Sequence, residues 1–367
     1  MAERVPDLEA LRDEARGDAD RVLVIGAGST ARSPWAFAGA FAPVEGFPRL
    51  DAIDSTEPSA VAAAAEHDPA RTLYVVASGT GATLETNLLF DLLYERARKS
   101  LGEEGAGRRF LAVTAEGSAL ATEAAKRRVR GIVAADPRTP ADFAPLSPFG
   151  LLPAALVGLP VKELLARAAR MAEACRAPGA ENPGLLLGAA LAAEALDGRD
   201  KLTISVPEVL SGFGTWIEGL VGAATGKDGK GLVPIGGEPL GGPEVYGSDR
   251  VFVRIDLADA PDTQADHRLA TLVEHGHPLM GFVLQEPADL GAEIFRWEFA
   301  AAVAGKVFSV NPFDEPDLAD ARNRTSRILA GGAPEASVAA AERKDAAQAI
   351  SSIRPGDYFA VSAFLPE

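Results

Sequence analysis

Along the first 135 positions, short runs of aliphatic and β-branched residues alternate with longer stretches whose apolar residues recur every three or four places. The runs at 21–25, 49–53, 72–77, 109–114 and 131–135 predict strands, and 31–41, 58–67, 83–98 and 118–128 predict helices between them. That alternation is the order expected when crossover helices cover a parallel sheet, so five strands and four crossovers predict a doubly wound α/β sheet.

From 148 the pattern becomes almost wholly helical, with segments at 150–157, 161–175 and 183–196. A second alternating region follows. Its expected strands are 201–206, 231–235, 251–255, 279–284 and 306–310, and its helices 213–224, 263–275, 290–305 and 316–330. The tail predicts a helix at 335–353 and a strand at 358–364. The expected organisation is a first α/β domain over 1–147, a helical connector over 148–198, a second α/β domain over 199–330 and a C-terminal piece over 331–367. The Gly/Pro-rich stretch 236–243 reads as an ordered loop.

Composition narrows the partners. The 367 residues carry a formal net charge of −16 without a basic stripe, which argues against a grip on nucleic acid. With 47% hydrophobic and 24% charged residues the chain is of globular type, and no run approaches the roughly 18 to 20 apolar residues of a membrane span. The first residues lack the order of a secretory signal, so a cytoplasmic protein with no membrane partner is expected. The single cysteine, Cys175, excludes an internal disulfide and reads as a buried structural thiol.

Two strand-to-helix loops carry candidate chemistry. Ile25-Gly26-Ala27-Gly28-Ser29-Thr30-Ala31 is a partial G-x-G-x-x-A whose amides and helix dipole offer a place for an anion. With Asp51 or Asp54 on the next strand it also fits a dinucleotide-binding turn, although any tight turn of this kind selects glycine for packing. In Ser78-Gly79-Thr80-Gly81-Ala82-Thr83-Leu84-Glu85-Thr86, glycines let amides turn inward while hydroxyls donate to phosphate oxygens. This predicts a phosphate cradle, against a plain N-cap at Thr83.

Asp54-Ser55-Thr56-Glu57-Pro58, Leu146-Ser147-Pro148-Phe149-Gly150-Leu151, Asn182-Pro183-Gly184, Gly198-Arg199-Asp200-Lys201-Leu202-Thr203, Thr225-Gly226-Lys227-Asp228-Gly229-Lys230-Gly231 and Asn311-Pro312-Phe313-Asp314-Glu315-Pro316 form a set spread over nearly the whole chain. In that order they resemble the glucose-6-phosphate isomerase family, most closely the isomerase part of bacterial transaldolase–isomerase fusions. The resemblance implies two sugar-isomerase (SIS) doubly wound domains joined by the helical connector. It also implies a homodimer and a sugar phosphate bound between domains near the subunit contact. No cofactor and no metal are expected.

The same resemblance assigns positions. Ser78, Thr80, Gly81, Thr83, Glu85 and Thr86 match the phosphate loop Ser-Lys-Ser-Gly-Gly-Thr-x-Glu-Thr of relatives, with Gly79 in place of the lysine. Gly28 and Ser29 match a second phosphate-contacting pair, so the expected contacts are Gly28, Ser29, Ser78, Gly79, Thr80 and Thr83. The family's carboxylate base, which carries a proton between C2 and C1, stands two residues before Thr-Gly-Lys; here that is Ala223. The arginine ahead of Leu-Ser-Pro-Phe-Gly falls at Asp142. The ring-opening positions fall at Glu293, as in fusion-type relatives, and at Arg322 in place of lysine. An arginine stays protonated and carries protons poorly.

Stand-ins are few. Glu218, five residues before Ala223, lies about 140° away around a helix. Arg138 is a candidate replacement cation, Glu85 reads as a helix-start acid, and His275 and His277 read as a structural turn.

A positioned base contributes about 10²–10⁴ in rate, so its loss raises the barrier by roughly 3 to 5.5 kcal/mol. The expectation is a sugar-phosphate-binding member of the family, for a hexose or pentose phosphate, with weak or no aldose–ketose isomerase activity. Such a pseudoenzyme would sense its ligand or pair with a catalytic partner enzyme. The alternative is an active glucose-6-phosphate/fructose-6-phosphate isomerase of glycolysis and gluconeogenesis with a displaced base. A nicotinamide-dependent oxidoreductase, suggested by the first glycine loop alone, lacks a proton-relay constellation. Fusion-type relatives continue past the last expected strand, so their transaldolase half is expected to be absent here.

Overall fold

Strands flanked by helices on both faces must be apolar on both sides, and the computed structural model, which describes residues 1–332 and 343–354, shows this in the central strands of its first sheet. β1 (Arg21–Ile25), β2 (Arg49–Ile53), β3 (Thr72–Ser78), β4 (Phe110–Thr114) and β5 (Gly131–Ala134) are all parallel, in the order β2-β1-β3-β4-β5. Every residue of β3 and β4 is buried. Leu23, Ile25, Tyr74 and Val76 face one core with Phe90, Leu93 and Phe110, while Val22, Val24, Leu73 and Val75 join another, as the two-residue period of a strand dictates.

The covering elements are α1 (Val5–Ala15), α2 (Ser29–Arg32), α3 (Trp35–Ala38), α4 (Pro58–Glu66), α5 (Leu84–Gly107) and α6 (Ala119–Lys126). Three helices then run in succession, α7 (Pro148–Leu156), α8 (Val161–Ala174) and α9 (Pro183–Leu196). The second sheet is parallel too. It consists of β6 (Lys201–Ser205), β7 (Val233–Gly236), β8 (Arg250–Leu257) and β9 (Leu279–Leu284) in the order β7-β6-β8-β9. With it go α10 (Ser211–Thr225), α11 (Thr263–Glu274) and α12 (Leu290–Phe308). The second core runs on without a break into this sheet through Leu202, Ile204, Val251 and Val253. The fold is therefore α/β, with two parallel doubly wound sheets joined by helices.

α12 packs against both α8 and α9 and buries Trp297 completely. Glycine makes that approach possible, because a Cβ at Gly291 would collide with the backbone carbonyl of Leu164. Residues 1–313 form one compact unit; a second begins at Asp314 and contains α13 (Pro316–Leu329) and α14 (Arg343–Ser351).

Several expectations need correction. The helix expected at 31–41 is two four-residue helices, because Pro34 lacks the N–H that would continue the first. The strand expected at 306–310 does not form. α12 continues through it, since Phe308 falls four residues after buried Ala304 on the core face, and Ser309 ends the helix with a left-handed φ of 59°. The N-terminal helix α1, with Leu8 in the core, was not expected from the sequence. Of the expected tail, 333–342 and the strand at 358–364 lie outside the described residues.

Two measurements test this packing. Gly291→Ala is expected to cost about 1–3 kcal/mol in urea unfolding, the usual penalty of overpacking a contact. Glu293, on the same helix, is 7% exposed; burial lifts its carboxyl from 4.5 to about 6 against the pull of Arg296 at 2.9 Å. The folded state then holds this proton more tightly than the unfolded one, so the term leaves stability untouched below pH 4.5 and lowers it by about 2 kcal/mol as pH rises past 6. The urea midpoint of Glu293→Gln, relative to wild type, is expected to gain between pH 4.5 and 7.

Candidate functional site

The order of the first sheet reverses between β1, which leads to β2 on one side, and β3, which leads to β4 on the other. Loops leaving the carboxyl ends of such a pair diverge and open a crevice. Both loops singled out from the sequence lie here. In the loop after β1, Gly28 has a φ of 50° and serves as N-cap of α2. In the loop after β3, Gly81 has a φ of 69°, and a Cβ there would lie 2.6 Å from Ser118 Oγ, so glycine alone fits.

The hydroxyls of the second loop form a connected set. Ser78 is buried, with its Oγ 2.9 Å from Thr83 Oγ1, and it accepts from the Gly81 N–H at 3.1 Å. Thr80 is exposed, and its Oγ1 accepts from the Ala82 N–H at 3.3 Å. Thr83 stands at the N-cap of α5 but makes no capping bond; its hydroxyl turns to Ser78 instead. The first-turn amides of α5 therefore keep their donor capacity and the positive end of the helix dipole. Gly79 is half-buried; Glu85 is half-buried and Thr86 fully buried in the first turn of α5.

A carboxylate faces the first loop. Ser29 Oγ donates to Oδ1 of Asp142, which lies in a 3₁₀ turn at Ala141–Phe143. The main-chain oxygen of Asp142 accepts from Trp216 Nε1 at 2.8 Å. One turn along α10, a Cβ on Gly219 would lie 3.4 Å from Asp142 Oδ1 and 3.9 Å from Ser29 Oγ. Trp216, Gly219 and Ala223 stand at i, i+3 and i+7, one stripe of the helix, so half-buried Ala223 continues the face that meets this carboxylate. Asp142 is 8% exposed, and burial holds its carboxyl above the usual carboxylate range, against the Ser29 bond and the charge of Lys227.

The other expected positions are spread more widely. Glu218 turns toward β7, its Oε2 2.9 Å from where a Cβ on Gly236 would sit; burial raises its carboxyl while the Gly236 backbone lowers it. Glu293 is buried on α12, and its Oε2 lacks a hydrogen-bond partner among the described residues. Arg322 is exposed on α13, in the other unit. Arg138 is 88% exposed and bound to Asp136 at 2.7 Å, holding that carboxyl at about 2. Asp51 pairs with Arg21, and Asp54 with Arg32 at 2.6 Å. His275 Nδ1 lies 2.8 Å from the Thr271 carbonyl, and His277 sets its edge on Phe252. Cys175 is buried, which pushes its thiol up. The Ser29–Asp142 bond and the facing Gly219 were missed from the sequence. The available signal was that Gly219 precedes Ala223 by one helical turn.

No protein-family model matches the chain. It is 27% identical over 322 residues to the glucose-6-phosphate isomerase of Rubrobacter xylanophilus, covering 75% of this chain and 73% of that protein. To the same-named protein of Symbiobacterium thermophilum it is 28% identical over 282 residues, 66% of this chain and 62% of that one. Among solved structures, a glucose-6-phosphate isomerase from Chlamydia trachomatis superposes with a TM-score of 0.76 at 18% identity, over 95% of this chain and 76% of that one. A tagatose-6-phosphate ketose/aldose isomerase from Escherichia coli gives 0.58 at 13% identity, over 86% and 92%. Among the described residues no helix is long and apolar enough to cross a membrane. The chain shares the α/β fold of these two solved isomerases, and its sequence relatives at 27–28% identity carry the name glucose-6-phosphate isomerase.

Proposed function

We propose that this chain is a sugar-phosphate-binding protein of the glucose-6-phosphate isomerase type with weak or no aldose–ketose isomerase activity, acting as a homodimer. The observation that carries the reading is the stripe of α10 that faces Ser29 and Asp142: it presents Gly219 and Ala223, neither of which can take a proton from a sugar carbon. The hydroxyls of Ser78, Thr80 and Thr83 and the α5 amides supply donors for a phosphate, while Asp142 replaces a cation that would stabilise an enediolate. The relatives' name makes hexose 6-phosphates the first ligands to test.

A second reading, an active isomerase interconverting glucose 6-phosphate and fructose 6-phosphate with a displaced base, draws on Glu293, whose buried carboxyl titrates at about 6, near the range useful for general acid–base work.

Fructose 6-phosphate turnover, followed by coupling glucose 6-phosphate formation to its dehydrogenase, separates the two. Wild type is expected to run at least about 100-fold below the Ala223→Glu/Asp142→Arg double variant, the lower end of what a positioned base contributes. A wild-type rate equal to the double variant's, abolished by Glu293→Gln, would establish the second reading. Thr80→Ala is expected to weaken glucose 6-phosphate binding about 10- to 100-fold in calorimetry, the loss of one hydrogen bond to a charged group of about 1.5–3 kcal/mol.

A further inference from the structure

We propose that Asp142 makes this site selective for phosphorylated amino sugars, with the phosphate on the loop after β3 and the ligand's ammonium against the Asp142 carboxylate. The inference rests on the sugar-phosphate reading above and names the substrate class it left open.

Asp142 is fixed on two sides. Trp216 Nε1 holds its main-chain oxygen at 2.8 Å, and Ser29 holds Oδ1. The carboxylate cannot swing away from the first loop without breaking one of these bonds. On its third side stands the exposed backbone of Gly219, with half-buried Ala223 one turn further on, so small residues border it where a larger side chain would fill the space. A ligand group that reaches Asp142 approaches over Gly219, where no side chain stands.

Among the described residues no cation makes a direct ion pair with Asp142, although the charge of Lys227 acts on it. Buried carboxylates are ordinarily paired, and bonds from the Ser29 hydroxyl and from its own backbone N–H leave acceptor capacity of this one unused. Cations on the adjoining segments have partners of their own: Arg32 with Asp54, Arg138 with Asp136, and Lys227, whose charge also acts on Asp142, with the Asn311 carbonyl. A hexose hydroxyl can donate to Asp142 but brings no charge. An ammonium brings both. Charge-assisted bonds of this kind are about twice as strong as neutral ones.

Proton accounting at Ser29 separates the two ends of the ligand. The single hydroxyl proton goes to Asp142, which leaves the phosphate to Ser78, Thr80, Thr83 and the amides of α5. β1 and β3 are adjacent parallel strands, and such neighbours lie about 4.8 Å apart, so the two loops start side by side before they diverge.

Calorimetry at pH 7 on the full chain, with glucosamine 6-phosphate, N-acetylglucosamine 6-phosphate, glucose 6-phosphate and inorganic phosphate, tests this directly. Acetylation removes the charge and keeps the sugar and its phosphate. Glucosamine 6-phosphate is expected to bind at least about tenfold tighter than either other sugar, equivalent to about 1.4 kcal/mol. Asp142→Asn should bring the sugars within twofold of one another while phosphate still binds. Equal affinity of the three sugars in wild type, or a preference that survives Asp142→Asn, overturns the inference and leaves the phosphate cradle standing. Failure of all four ligands to bind overturns the sugar-phosphate reading and this inference together. Should Asp142→Asn not fold by circular dichroism, the wild-type contrast between the free and acetylated amine decides alone.

Discussion

Burial of both faces of β3 governs the rest of the structure. All seven of its residues are inside, and it pairs with β1 on one edge and β4 on the other. A strand so enclosed can deliver polar chemistry only at its ends. The reversal of strand order beside it spreads the following loops apart, so the carboxyl end of β3 is where donors can gather without competing with the ladder. Ser78 is the last residue of the strand and the first of the loop, buried like its predecessors and already hydrogen-bonded to Thr83. Gly81 completes the turn because Ser118 leaves no room for a Cβ.

The electrostatics of the crevice follow from what lies at each loop. The loop after β3 offers hydroxyls and helix amides and has glycine at position 79. The loop after β1 is tied to a carboxylate. Two like charges 4 Å apart repel by about 4 kcal/mol at an effective dielectric of 20, so a phosphate and an ionised Asp142 could not share Ser29. Burial already pushes the Asp142 carboxyl upward, and a dianion nearby pushes it further in the same direction. A cation on the ligand reverses both effects.

Local pattern made much of the fold legible. The strands at 21–25, 49–53 and 279–284 match the observed elements residue for residue: the first and last are short, mainly apolar runs, and 49–53 alternates polar with apolar residues. Both glycine loops were legible for the same reason. Errors came where a local signal was overridden: Lys306-Val307-Phe308 has strand composition, yet Phe308 completes the core face of a helix that already exists. Thr83 looked like a cap and sits at the cap position, but a closer hydroxyl takes its bond. The Ser29–Asp142 bond joins residues 113 apart, and no spacing rule reaches that far. A resemblance could place an aspartate at that position without saying what it touches.

Asp142 and the small residues of α10 that face it belong to a single physical arrangement. A carboxylate introduced beneath a bulky helix face would be sealed from water and driven neutral, at a cost of several kcal/mol if it stayed ionised. Asp142 is itself buried, but Gly219 leaves the helix face over its Oδ1 without a side chain. Ala223 extends the same opening by a turn. The small residues Gly219 and Ala223 on this face of α10 and the acid opposite them therefore support one another.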